Sequence, residues 1–310
     1  MTLDLSTAYG YCERMAKSHY ENFPVGSLLI PKQKRPYVWS IYAFARSADD
    51  FADENYPSRN DFPDEVTWRE EIRKGEAKRL DLLQEWESQL QACYEGTPTH
   101  PVFVALQKTV RDLKIPMKPL SDLLYAFKMD VTKRRHRNWA EVLHYCEHSA
   151  NPVGRLVLTT FDAANEERFA LSDAICTGLQ LANFWQDMAV DREKDRIYAP
   201  LDLLARFGMN DETILNPPSD TDWRKPLEAL GEFTLDFFKK GAPLPRKVKG
   251  RLSWELRCTW LGGMTVLNRA CFDPNRTSLE RPKIRPKDKL SILWKSIFTY
   301  NRCVALWAGA

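Results

Sequence analysis

The sequence predicts an all-α protein. Apolar residues recur with helical spacing along most of the chain, and strand-like alternation is rare. Glycine is sparse, 13 in 310 residues, while Leu, Ala, Glu, Lys and Arg dominate, a composition that suits helices. The breaks between periodic stretches carry turn residues.

Helices are expected near 6–21 and 34–53. Asn55 to Asp64, with two prolines, then breaks the pattern. A further helix near 68–94 stops at Gly96-Thr97-Pro98 and is followed by helices near 101–112, 118–130 and 138–148. Asn151-Pro152 reads as a helix start, with Asn as cap and Pro in the first position, for a helix near 151–165. Gly154 two residues on lets a neighbouring helix or a ligand chain approach closely. Helices near 169–189 and 200–206 come next. Asn216-Pro217-Pro218-Ser219 interrupts, as does Gly241 to Pro245, around helices near 223–239, 249–271 and 286–300. No break is long enough for an interdomain linker, so one helical domain over 1–280 is the simplest reading.

With 44% hydrophobic residues the chain can bury a sizeable core. Its 45 basic and 42 acidic residues leave a net charge of +3, which is no nucleic-acid footprint. Seven dispersed cysteines without CxxC or zinc spacing fit reduced thiols in a cytoplasmic protein. The N-terminus lacks a signal-peptide layout, and no run of 18 uncharged apolar residues is present to span a membrane. Residues 281–310 form a basic and aromatic tail containing Ile292, Leu293, Trp294, Ile297, Phe298, Tyr300 and Trp307. The tail reads either as a docked helix covering core or as an interfacial helix touching a bilayer, most directly through residues 286–310.

Two segments carry chemistry. In the first, Tyr42, Arg46, Asp49 and Asp53 fall within an arc of roughly 60° on one helix. Val38, Ile41, Ala45, Ala48 and Ala52 make an apolar stripe beside it. Arg46 either forms a salt bridge with the aspartates or awaits a phosphate. In the second segment, Asn183, Asp187, Asp191 and Asp195 step by four after a strongly apolar run, with Arg192 and Arg196 among them. Either segment alone is readable as a solvated acidic face. The two together can hold Mg²⁺ ions around one diphosphate, because hard carboxylate oxygens suit an ion that shares its shell with phosphates. Such ions draw charge from a leaving group as its C–O bond breaks. The carbocation left behind needs apolar and aromatic walls, which 12% Phe, Trp and Tyr can supply.

At these residues the sequence resembles the squalene/phytoene synthase family of head-to-head prenyl synthases, over nearly the whole chain and more weakly after about residue 275. The segments carrying the resemblance are His19 to Ser27, Ile41 to Asp50, Asp130 to Lys133, Ser149 to Arg155 and Asn183 to Asp187. They look closest to the bacterial hydroxysqualene branch of hopanoid biosynthesis. The resemblance implies an isoprenoid-synthase-type helical bundle around a central apolar cavity, with three Mg²⁺ ions on Asp49, Asp53, Asp187 and Asp191, supported by Asn183. It implies diphosphate contacts from His19, Tyr42, Arg46, Arg196 and Tyr198, and places Tyr145 near the reacting carbons. Gln186 departs from the pattern: many family members have Arg there, so one fixed positive charge near the substrate is missing.

The expected reaction is ionisation of presqualene diphosphate, a C30 ester, followed by rearrangement and capture by water to give hydroxysqualene. A synthase that condenses two C15 farnesyl diphosphates is the alternative. No GxGxxG motif follows a strand, and water capture is the simpler fit, so NADPH is not expected. A presqualene diphosphate synthase that hands over its product is the partner this reaction implies. A non-catalytic scaffold relative should have lost acidic positions or the arginine between them, and both motifs are intact.

Overall fold

The computed structural model describes residues 4–18, 30–53, 56–218, 221–273 and 281–308. Among them the secondary structure is almost entirely helical. In order the helices are α1 (Leu5–Ser18), α2 (Arg35–Asp53), α3 (Glu65–Glu95), α4 (Pro101–Leu113), α5 (Lys118–Thr132), α6 (Trp139–Ser149), α7 (Asn151–Thr160) and α8 (Glu166–Glu193). Then follow α9 (Leu201–Ala205), α10 (Asp211–Leu215), α11 (Arg224–Gly241), α12 (Leu244–Lys247), α13 (Gly250–Leu267), α14 (Pro286–Phe298) and α15 (Tyr300–Ala308). One parallel bridge, Arg135 to Ile197, is the strand-like feature among the described residues.

The helix starts follow side-chain chemistry. Asp64, Asn138 and Asn165 each accept a hydrogen bond from a backbone N–H in the first turn of α3, α6 and α8. The expected helix over 151–165 stops at Thr160, because Asp162 takes a left-handed φ of 55° and Asn165 then caps α8. The expected helix over 169–189 starts three residues earlier and runs four longer.

Two apolar clusters make the core. One joins α1, α2, α3, α4 and α5 around Phe44, Trp86, Phe103 and Leu106. The other joins α6, α8, α11 and α13 around Trp185, Phe184, Phe238 and Trp260. Helices α5 and α7 contribute to both: Leu123 and Leu156 belong to the first cluster, Ala126 and Leu158 to the second. This division places α2 in one half and α8 in the other.

Gly154 makes the α7–α8 approach close. A Cβ there would lie 2.3 Å from Ser172 Oγ and 2.6 Å from Cys176 Sγ. The glycine admits α8, and it also lines the apolar cavity described below.

Helix α14 docks on α13: the Trp254 indole donates to Ser296 Oγ at 2.7 Å, and Ser296 is buried. Tyr300 is buried too, and Ile292 and Trp307 pack against the second cluster. Leu290, Leu293, Trp294, Ile297 and Phe298 instead face outward. No described helix is long and apolar enough to cross a membrane.

Candidate active site

Helix α2 packs through Ala43, Phe44, Ser47, Ala48 and Ala52. Phe44 anchors it, stacked on Trp86 and edge-on to Phe103. At 100° per residue this buried face lies roughly opposite the row of Tyr42, Arg46, Asp49 and Asp53. That corrects the stripe read from the sequence: Val38, Ile41 and Ala45 are only partly buried, and the bulky Phe44 sets the rotation. The acidic row consequently looks away from its own core, and its Asp53 meets the segment that follows α8.

Helix α8 is enclosed by α6, α7, α11 and α13. Its polar strip of Asn183, Gln186, Asp187 and Asp191 is not sealed into the core. Asn183 and Gln186 line a cavity of about 490 Å³ whose walls are mainly apolar, among them Val38, Val157, Phe161, Leu179 and Leu256. Asp195 departs from the expected ridge. The helix ends at Glu193, Asp195 adopts a φ of 55°, and its carboxylate pairs with Arg135 at 2.6 Å and Arg69 at 3.2 Å.

The same turn aims the following residues at the first motif. Ile197 N–H donates to the Arg134 carbonyl at 2.9 Å and Leu201 N–H to that of His136 at 3.0 Å, fixing the 196–201 segment. Lys194 Nζ and Arg196 Nη2 then reach Asp53 at 2.5 and 3.1 Å. Burial alone would raise the Asp53 pKa, but Arg196 and Lys194 hold it below the ordinary value. Arg196 itself is buried, over the Tyr56 ring at 5.3 Å.

Asp130, at the end of α5, accepts hydrogen bonds from Tyr145 at 2.8 Å and Tyr198 at 2.7 Å. Tyr198 stacks on Phe184 with centroids 3.9 Å apart, and Tyr145 leans on both rings. The fields of Asp49 and Asp191 both include Asp130, so it lies within electrostatic reach of both motifs. Burial raises the pKa of Asp49 to about 6, with Asp53 and Asp130 adding to the rise against Arg46. Burial and the Asp187 charge push Asp191 up to about 8.

Most of the remaining candidates have a definite place. Arg46 bonds Asp49 at 3.2 Å and Asp50 at 2.5 Å, so in this state it forms the intrahelical salt bridges. Tyr42 is half-buried beside it, its pKa raised by burial. Asp187 pairs with Arg281, and the Gln186 amide donates to the Pro282 carbonyl at 2.6 Å. Arg281 thus brings a positive charge beside position 186 from another part of the chain. Arg192 reaches toward the Ile214 carbonyl at 3.5 Å and feels the Glu193 charge beside it. His19 lies outside the described residues.

The donors suit Mg²⁺. They are hard oxygens on two facing elements, and two of the carboxyls are under charge repulsion that a cation relieves. Among the described residues these oxygens do not close into a three-ligand cage. An ion that keeps several waters and shares its shell with substrate phosphates does not need one.

Three residues of the candidate site escaped the sequence reading. Asp130 stands alone on its helix, although its segment carried part of the resemblance. Lys194 and Arg281 act on acids 141 and 94 residues away, and only the basic character of 281–289 hinted at the latter.

The squalene/phytoene synthase family model matches residues 16–287. The hydroxysqualene synthase of Rhodopseudomonas palustris is 35% identical over 246 residues, 78% of this chain and 77% of that protein. The phytoene synthase of Arthrospira platensis is 28% identical over 233 residues, 71% of this chain and 70% of that protein. Among solved structures, the squalene synthase HpnC from Alicyclobacillus acidocaldarius superposes with a TM-score of 0.73 at 35% identity, covering 85% of this chain and 92% of that one. With a family match of this length, and relatives of this likeness across most of both chains, the protein belongs to the squalene/phytoene synthase family.

Proposed function

We propose that this protein ionises presqualene diphosphate with Mg²⁺ and directs water onto the rearranged cation, releasing hydroxysqualene and diphosphate. The observation that carries this reading is the convergence of the two aspartate helices on Asp130 and Arg196, beside an apolar cavity of about 490 Å³. The likeness to hydroxysqualene synthases adds support.

Asp49, Asp53, Asp187 and Asp191, with Asn183, hold the metal. When bound, Mg²⁺ supplies the positive charge that stabilises the departing diphosphate. Arg46, Lys194, Arg196 and Arg281 each occupy one of these acids or a neighbouring one. With the acids engaged by the metal, these side chains would be free to turn to phosphate oxygens. Tyr42, Gln186 and Tyr198 complete the polar rim. The ester C–O bond breaks with its electron pair leaving on the diphosphate. The cyclopropylcarbinyl cation rearranges and its ring opens to an allylic cation, beside the aromatic faces of Tyr145, Phe184 and Tyr198. A water oxygen bonds to that cation and loses a proton. No hydride donor takes part.

The outward face of α14 is proposed to rest on a lipid surface. Leu290, Leu293, Trp294 and Ile297 recur at helical spacing, and Lys283, Arg285, Lys287 and Lys289 are exposed before and among them. Helix α13, on which α14 docks, lines the cavity, so an oily product has a short path to the bilayer.

The deciding experiment is product identification by mass spectrometry. The protein is incubated with presqualene diphosphate or farnesyl diphosphate, with and without NADPH. Hydroxysqualene from presqualene diphosphate without NADPH is expected. Consumption of farnesyl diphosphate alone would favour the condensing synthase instead.

A further inference from the structure

The outward face of α6 carries a second group of ligating side chains. His144, Glu147 and His148 stand at i, i+3 and i+4, which stacks them on one side of the helix. One ligand atom from each lies within 4.8 Å of the others. The two imidazole rings sit 4.5 Å apart, centroid to centroid. His148 Nδ1 meets the His144 carbonyl at 2.8 Å. A carbonyl only accepts, so Nδ1 carries the proton and Nε2 keeps its lone pair. Metal-binding imidazoles are commonly held in this way.

The neighbouring helix supplies a further donor. Asp122 of α5 lies 3.9 Å from His148 Nε2, and Glu147 lies 3.9 Å from His144 Nδ1. Both separations are too long for hydrogen bonds. An ion with bonds of about 2.0 to 2.1 Å holds its tetrahedral ligands roughly 3.4 Å apart, a small side-chain adjustment from this spacing.

We propose that His144, Glu147 and His148 bind one divalent transition-metal ion of borderline softness, zinc or a neighbour of it, with Asp122 as a fourth donor. Two imidazoles select such an ion over magnesium, which prefers oxygen. Lys118, paired with Asp122 at 2.8 Å, is the group the ion displaces. The bound ion clips α5 to α6. These are the helices that bring Asp130 and Tyr145 together, and His144 immediately precedes Tyr145 in the chain.

The test uses the full chain without a polyhistidine tag, stripped by chelator and kept in excess magnesium chloride. Zinc chloride is titrated by calorimetry, and cobalt chloride by absorption. One zinc per chain, a raised thermal midpoint, and a cobalt spectrum without a thiolate charge-transfer band are expected. His144→Ala and His148→Ala, each with unchanged helical circular dichroism, should weaken binding at least about ten-fold. Asp187→Asn should bind zinc as the parent does, which separates this site from the aspartate rows. Absence of zinc binding, binding indifferent to both histidine changes, or a thiolate band would overturn the proposal.

Discussion

Asp130 accepts hydrogen bonds from two tyrosines, yet it belongs to neither aspartate row. Its carboxylate gives Tyr145 and Tyr198 a common anchor and adds negative charge to the field of Arg196. Asp130→Asn keeps the shape and removes the charge. Turnover should fall roughly 10- to 100-fold, as for other partners that orient ligands, with helical content unchanged. Parent-like turnover would show that the tyrosines do not depend on this charge. His136 is fully buried against Tyr198, and burial lowers its pKa to about 4. Its folded-state pKa lies below that of the unfolded chain, so the unfolded state binds more protons between about pH 6.5 and 4. Stability from the neutral ring is therefore present above that window and lost as pH falls through it, by on the order of 3 kcal/mol in total. His136→Asn should flatten the thermal midpoint between pH 6.5 and 5 relative to the parent, measured by circular dichroism. An identical slope in both proteins would assign the loss to other groups.

At the scale of elements, α14 is two-sided. Ser296 and Ile292 hold it to the body, while Leu290 and Phe298 are 70% and 68% exposed. A helix with apolar residues outward and lysines flanking them suits the headgroup region of an anionic bilayer. Trp294→Ser with Phe298→Ser should abolish co-sedimentation with anionic liposomes and leave the melting curve nearly unchanged, since neither side chain is buried. Liposome binding equal to the parent's would remove this face from consideration. The element ends matter equally. Helix α8 stops at Glu193, and that stop carries Lys194 and Arg196 to Asp53 while Asp195 leaves for Arg135. A continuous helix would have kept all four polar residues in one row and given Asp53 no partners from this segment.

The molecule as a whole keeps its site under electrostatic load. Asp191 is raised to about 8 by burial and by Asp187, so at neutral pH the folded chain pays for a carboxyl that the unfolded chain ionises freely. That destabilisation begins above the unfolded value near pH 4 and grows until about pH 8. Asp191→Asn should consequently raise the stability of the metal-free protein, by up to roughly 4 kcal/mol at pH 7, while abolishing turnover. Denaturant titration in chelator checks the first effect and product formation the second. A destabilised variant would mean that the carboxylate is well satisfied without metal.

The all-α class, most helix positions and the two acidic motifs were legible because they are local: helical periodicity, turn residues and four-residue spacing are properties of short windows. The rotation of α2 was not, because Phe44 finds its pocket between Trp86 and Phe103, which come from other helices. Nor was the direction of Asp195, set by a left-handed turn and two distant arginines. The cations on Asp53 and Asp187 and the tyrosines on Asp130 likewise join residues far apart in sequence. The sequence by itself determined what each helix is and which side chains it carries, since backbone preference and patterning act over a few residues. Only the tertiary structure decided which charges meet, because Coulomb and hydrogen-bond energies depend on distance through space and burial, and neither is written along the chain.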